Sequence, residues 1–124
     1  MKSAINWYEI PVSDMNRAKK FYSTVLEYEI TDMPMPGLPF KYSRFPVEQG
    51  EGVGGVLVEG PGYQPSTQGS MVYFNCGEDL STALSKVEKA GGKVILQKTP
   101  VGAFGFMAHF TDSEGNRLAL FSPK

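Results

Sequence analysis

Residues 9–22 read Glu9-Ile10-Pro11-Val12-Ser13-Asp14-Met15-Asn16-Arg17-Ala18-Lys19-Lys20-Phe21-Tyr22, and the hydrophobic period changes within them. Upstream, Ile5, Trp7, Tyr8, Ile10 and Val12 supply the β-branched and aromatic residues of a strand over 4–12. Ser13 and Asp14 can each cap a helix. Met15, Ala18, Phe21, Tyr22, Val25 and Leu26 then recur at spacings of three and four. That is one apolar helix face, with Asn16, Arg17, Lys19, Lys20 and Ser23 on the wet side.

Working outward, residues 27–31 read as a short strand. Three prolines and a glycine over 32–39 fit a loop and not a helix interior. Strands are expected around Phe40–Phe45 and Val56–Glu59. Residues 61–69 hold Pro61, Gly62, Pro65, Ser66, Thr67 and Gly69, the composition of a linker. The second half repeats the order. A strand over 71–76 precedes Gly77-Glu78-Asp79 and a helix with Leu80, Ala83, Leu84, Val87 and Ala90 on one face. Gly91-Gly92 stops that helix. Strands follow at 93–96, 104–111 and 118–121, with turns at 99–102 and 112–116. An offset of 65 lays Asp14 on Asp79, Ala18 on Ala83, Tyr22 on Val87 and Ile30 on Ile95. The expected fold is α+β: one domain over 1–124, built of tandem β-α-β-β-β modules at 1–60 and 70–124.

Composition limits the function. The 124 residues carry 12 basic and 13 acidic side chains, with one histidine, His109, and one cysteine, Cys76. Near-neutral charge leaves no footprint for nucleic acid or an acidic membrane. One cysteine cannot form an internal disulfide, and Cys76 is expected as a small buried apolar residue. One histidine excludes a two-histidine metal site within one chain. Neither a signal-type apolar run nor a membrane-length one is present, and a soluble cytoplasmic protein is expected. Gly50-Glu51-Gly52-Val53-Gly54-Gly55 matches GxGxxG literally, but a strand follows where a dinucleotide fold needs a helix. Cys76 lacks a histidine in its own half, which argues against a Cys-His nucleophile.

The run 9–22 resembles the opening of the vicinal oxygen chelate superfamily, the glyoxalase, bleomycin-resistance and extradiol dioxygenase group. Phe106-Met107-Ala108-His109-Phe110-Thr111-Asp112-Ser113-Glu114-Gly115-Asn116-Arg117 is similar to its closing hairpin. Residues 75–80 and 86–94 match a small single-domain branch. The resemblance implies curved mixed sheets around a cavity, and a homodimer whose cavities form between modules of two subunits. In metal-using members, the resemblance implies a metal held by His or Gln on the first strand, Glu on the fourth, His on the fifth and Glu on the eighth. Those positions fall here on Trp7, a residue near Gly54, Val72 and Ala119. None of the four supplies a donor for a divalent ion.

The expected cavity residues are therefore Trp7, Glu9, Tyr42, Val72, Ala119 and Phe121, with no metal ligand and no cofactor. Aromatic Phe104 and Phe106 are further candidates for an apolar lining or the core. Glu9 shares a face with Trp7, and a carboxylate in a partly apolar cavity can act as acid or base. Its alternative is a pair with Lys41 or Arg44. His109 is the one side chain whose ordinary pKa lies near neutrality. Three functions follow: metal-free binding of a small, partly apolar molecule; a metal-free lyase or isomerase using Glu9 with His109 or Tyr42; or a metal-dependent glyoxalase- or dioxygenase-type enzyme. The third needs relocated ligands, of which Glu9, Glu59 and His109 are the available set.

Overall fold

A computed structural model describes residues 3–47 and 52–124. Gly50 and Glu51 of the glycine-rich stretch lie outside the described residues. The first module runs β1 (Trp7–Pro11), α1 (Met15–Leu26), β2 (Thr31–Asp32), β3 (Lys41–Arg44) and β4 (Gly54–Glu59). The second runs β5 (Tyr73–Asn75), α2 (Ser81–Leu84), β6 (Lys93–Pro100), β7 (Phe106–Thr111) and β8 (Arg117–Ser122), with a 3-10 turn at Gly102–Phe104. The sheets have orders β1-β4-β3-β2 and β5-β8-β7-β6. In each, the first and last strands of the module pair in parallel, β1 with β4 and β5 with β8. The fold is the α+β pair of β-α-β-β-β modules.

Helix α1 begins where the capping residues place it. The Asp14 carboxylate accepts from the Arg17 N–H at 3.1 Å. Glu27 ends the helix in the left-handed region at φ 57°. The chain there is committed to a helix stop, so the expected strand over 27–31 contracts to Thr31–Asp32. The second helix is also shorter than its apolar spacing suggests. Past Leu84 the turns mix bonds to the third and fourth preceding carbonyls, until Gly91 reverses the chain at φ 106°. The turn expected at 99–102 moves to Gly102–Phe104, where Gly102 and Gly105 supply positive φ. This leaves Phe104 82% exposed and outside the strand.

One core serves both modules. Ile10, Val12, Phe45 and Leu57 from the first sheet meet Phe74, Phe110, Leu118 and Leu120 from the second, with the apolar face of α1 between them. Phe21 stacks on Phe110 with ring centroids 6.0 Å apart, and Tyr22 meets Phe74 at 5.5 Å. Alternation along each strand then fixes the opposite faces. Trp7 and Glu9 point away from this core, as do Tyr73, His109 and Ala119. The cavity expected around the two sheets is therefore not enclosed by one chain. Helix α1 packs its apolar face against core residues of both sheets, and their other faces turn outward. Among the described residues, no helix is long and apolar enough to cross a membrane.

Candidate functional site

The outward face of the second sheet is built across one row. Tyr73, Ala119 and His109 are direct neighbours on β5, β8 and β7. Ala119 is fully buried, and the Tyr73 and His109 rings meet edge to face with centroids 5.9 Å apart. The small side chain between them lets the rings meet. The Tyr73 hydroxyl lies 3.2 Å from His109 Nε2 and 3.7 Å from Met107 Sδ. Arg117 Nη2 lies 3.0 Å from His109 Nδ1. A guanidinium only donates, so Nδ1 accepts and the ring proton sits on Nε2, facing Tyr73. Burial, then the nearby Arg117 charge, pushes the His109 pKa down, so the imidazole is neutral at pH 7.

The outward face of the first sheet carries Trp7 and Glu9 over Gly54 and Val56. An added Cβ at Gly54 would stand 3.0 Å from the Trp7 ring, so a side chain there would press on the indole. Glu9 Oε1 accepts a 2.7 Å hydrogen bond from the Tyr63 hydroxyl, so its partner is neither Lys41 nor Arg44. That bond pushes the Tyr63 pKa up to about 12, with burial and the Glu9 charge adding to it.

The expected cavity residues divide among three depressions. Trp7 and Val72 line a cavity of about 640 Å³ with Tyr73, Phe45 and Met71. Glu9 and Val72 line a smaller cleft of about 200 Å³ with Arg117. Tyr42 lies elsewhere, in a pocket of about 460 Å³ beside the start of α1. Ala119 and Phe121 line none of these three. Val72 precedes β5 and packs toward the core, while Tyr73 takes the outward position beside Ala119. Spacing from the helix-starting aspartate misses this, because the repeat offset is 65 at the helices but 66 between Trp7 on β1 and Tyr73 on β5. Gly54 lies beside Trp7 as Ala119 lies beside Tyr73, so the fourth-strand position falls on Gly54.

Glu9, Glu59 and His109 are not brought together. Glu59 caps α1, accepting from Met15 N–H at 2.8 Å. Among the described residues, no three His, Cys, Asp or Glu side chains form a group able to hold a metal. Cys76 is half-buried against the core, and burial pushes its thiol up to about 11, which leaves it protonated at neutral pH. Sequence reading missed Tyr63, Tyr73 and Arg117. The linker position of Tyr63 and the one-residue change in offset hid the first two. Arg117 carried a signal, as a charge beginning an otherwise apolar closing strand.

The profile of the Glyoxalase/Bleomycin resistance protein/Dioxygenase superfamily matches residues 4–120. The chain belongs to this superfamily. It is 28% identical over 116 residues to proteins of Mycobacterium bovis and Mycobacterium tuberculosis, each described as "Putative glyoxylase CFP32". The match covers 94% of this chain and 44% of theirs, so the chain spans about half the length of these curated relatives. Among solved structures it is similar to glyoxalase I of Zea mays, with a TM-score of 0.73 and 20% identity over 94% of this chain and 45% of that one. TnmS3, an antibiotic-binding protein from Streptomyces sp. CB03234, gives 0.69 and 22% over 100% and 99%. A domain of the superfamily from Frankia sp. EAN1pec gives 0.72 and 16% over the full length of both. These likenesses establish the fold.

The metal that some members carry does not fit the residues present. In structural register the four ligand positions hold Trp7, Gly54, Tyr73 and Ala119. They offer no carboxylate and no imidazole, where a divalent ion needs several such donors converging.

Proposed function

We propose that this protein binds a small, partly apolar molecule on the outward sheet faces, without the usual metal, and that a second copy completes the cavity. The observation that carries this reading is the ligand row itself. Two aromatic rings, an alanine methyl and a glycine stand at the four positions, and Trp7 and Tyr73 are 47% and 49% exposed on one chain. Large apolar side chains left open beside a cavity of about 640 Å³ favour a ligand or a partner surface. The antibiotic-binding neighbour is consistent with sequestration of such a molecule.

The test uses the sole tryptophan as reporter. Titration with a neutral aromatic probe, 1-naphthol, is expected to shift Trp7 emission saturably, and Trp7→Ala to abolish binding measured by calorimetry. Light scattering is expected to give a dimer. One equivalent of tightly bound divalent metal per chain after dialysis would overturn the reading.

A second reading is supported by the neutral, tautomer-fixed His109 and the Tyr63-held Glu9. These are the groups a metal-free lyase or isomerase would use for proton transfer. Loss of turnover in Glu9→Gln, with ligand affinity retained, would favour it over sequestration.

A further inference from the structure

The cleft of about 200 Å³ lies between Glu9 on the first sheet and Arg117 on the second, under the segment joining the modules. Two opposite charges line it without pairing. Among the described residues, neither Glu9 nor Arg117 makes a salt bridge. Each is held by a neutral group instead: Glu9 Oε1 by the Tyr63 hydroxyl and Arg117 Nη2 by His109 Nδ1. Arg117 Nε is moreover the one buried side-chain nitrogen or oxygen without a hydrogen-bond partner among the described residues. A buried donor left unmade is costly, and each such group calls for a partner.

The walls are fixed before anything binds. Ser66 N–H donates to Asn116 Oδ1 at 3.0 Å, and Arg117 N–H donates to Ser66 O at 3.3 Å. The joining segment is thus pinned to the strand that carries Arg117. Gln64, Gln68 and Ser70 add polar lining. A preorganised cleft loses little freedom on binding. Its volume falls below the roughly 300–1,000 Å³ of sites for drug-sized ligands. The occupant is therefore small, polar and charged at both ends.

We infer that this cleft binds a small zwitterion of the amino-acid class, its carboxylate on Arg117 and its ammonium on Glu9. A guanidinium matches a carboxylate through charge-assisted bonds, and the unbonded Glu9 oxygen accepts from an ammonium. The inference does not depend on the apolar ligand at Trp7. The cleft shares only Ser70 and Val72 with that cavity.

Calorimetry with three probes tests it: glycylglycine, N-acetylglycine, which lacks the ammonium, and glycinamide, which lacks the carboxylate. Wild type is expected to bind glycylglycine at least about tenfold more tightly than either analogue. Arg117→Gln is expected to abolish the preference over glycinamide, and Glu9→Gln the preference over N-acetylglycine. Arg117→Lys, which keeps the charge, is expected to retain part of the affinity. The urea midpoint of each variant shows that it is folded, and the 1-naphthol titration of Trp7 reads the apolar site separately. Equal binding of all three probes, no saturable binding of glycylglycine, or variants that bind it as wild type does would overturn the inference.

Discussion

Tyr22, at the centre of α1, donates a 2.6 Å hydrogen bond to Asp112 in the turn between β7 and β8. Both residues are buried, and the bond joins the helix of the first module to the closing hairpin of the second. Asp112 also accepts from the N–H groups of Glu114 and Asn116 and from the Asn116 side chain, whose amide donates in turn to Pro11 O. Tyr22→Phe keeps the ring and removes one donor from a buried carboxylate. The expected cost is about 1–3 kcal/mol, read as a lower urea midpoint with an unchanged slope. A midpoint equal to wild type would show that the bond adds nothing.

Asp112 and Glu114 stand two residues apart and respond oppositely to pH. Burial raises the Asp112 pKa, against the opposing bonds from Tyr22 and Asn116. Burial also acts on Glu114, but Arg17 and the N–H groups of Asp14 and Ser13 outweigh it, and its pKa falls. For Asp112, folded above unfolded, the contribution is complete at low pH and is lost as pH rises through the folded value. For Glu114, folded below unfolded, the contribution is present above the unfolded value and is lost as pH falls through the folded one. Glu114→Gln is therefore expected to flatten the loss of stability on acidification, and Asp112→Asn to steepen it by removing the opposing trend. Urea midpoints between about pH 3 and 7 measure both. Parallel curves for wild type and Glu114→Gln would contradict the assignment.

Periodicity made the fold legible because each module obeys its own pattern. The stretch 9–22 switches from strand to helix spacing, and α1 starts one residue after the aspartate that signals it. What periodicity does not contain is the packing of one module on the other. The contacts of Phe21 with Phe110, and of Tyr22 with Asp112, span about ninety residues. They decide that the core lies between the sheets and that the Trp7 face turns outward. The site was legible as an absence of ligands, since residue type alone carries that. Its positive content was not. Tyr73 depends on register, which a change of one residue in the repeat offset inverts. Tyr63 reaches Glu9 from a segment whose composition says only that it is a loop.

Gly92 does more than help end a helix. An added Cβ would stand 2.3 Å from Thr111 O and 2.7 Å from the Phe21 ring. The first of these is backbone in a paired strand and cannot move aside. Gly92→Ala is expected to cost about 1–3 kcal/mol through overpacking, although alanine normally favours ordered backbone. Gly62→Ala, at an open position with φ 85°, would be strained by backbone conformation alone and separates the two effects. Thermal melting of both variants makes the comparison. A Gly92→Ala protein as stable as wild type would mean that β7 yields where the structure shows it held.

The state of His109 follows from its two bonds and is directly measurable. Arg117 holds Nδ1 as an acceptor, so Nε2 bears the proton toward Tyr73. Nitrogen chemical shifts are expected to show this single tautomer at pH 7. The titration is expected to lie below the ordinary histidine value of about 6.5, because burial and the Arg117 charge both oppose a second proton. Removing that charge in Arg117→Gln is expected to move the pKa upward and to mix the tautomers. Tyr73→Phe removes the partner at Nε2 but leaves both causes of the shift, so it is expected to keep the low value. A wild-type titration at or above the ordinary value would break the chain of bonds from Arg117 through His109 to Tyr73. The second functional reading would then lose its neutral imidazole.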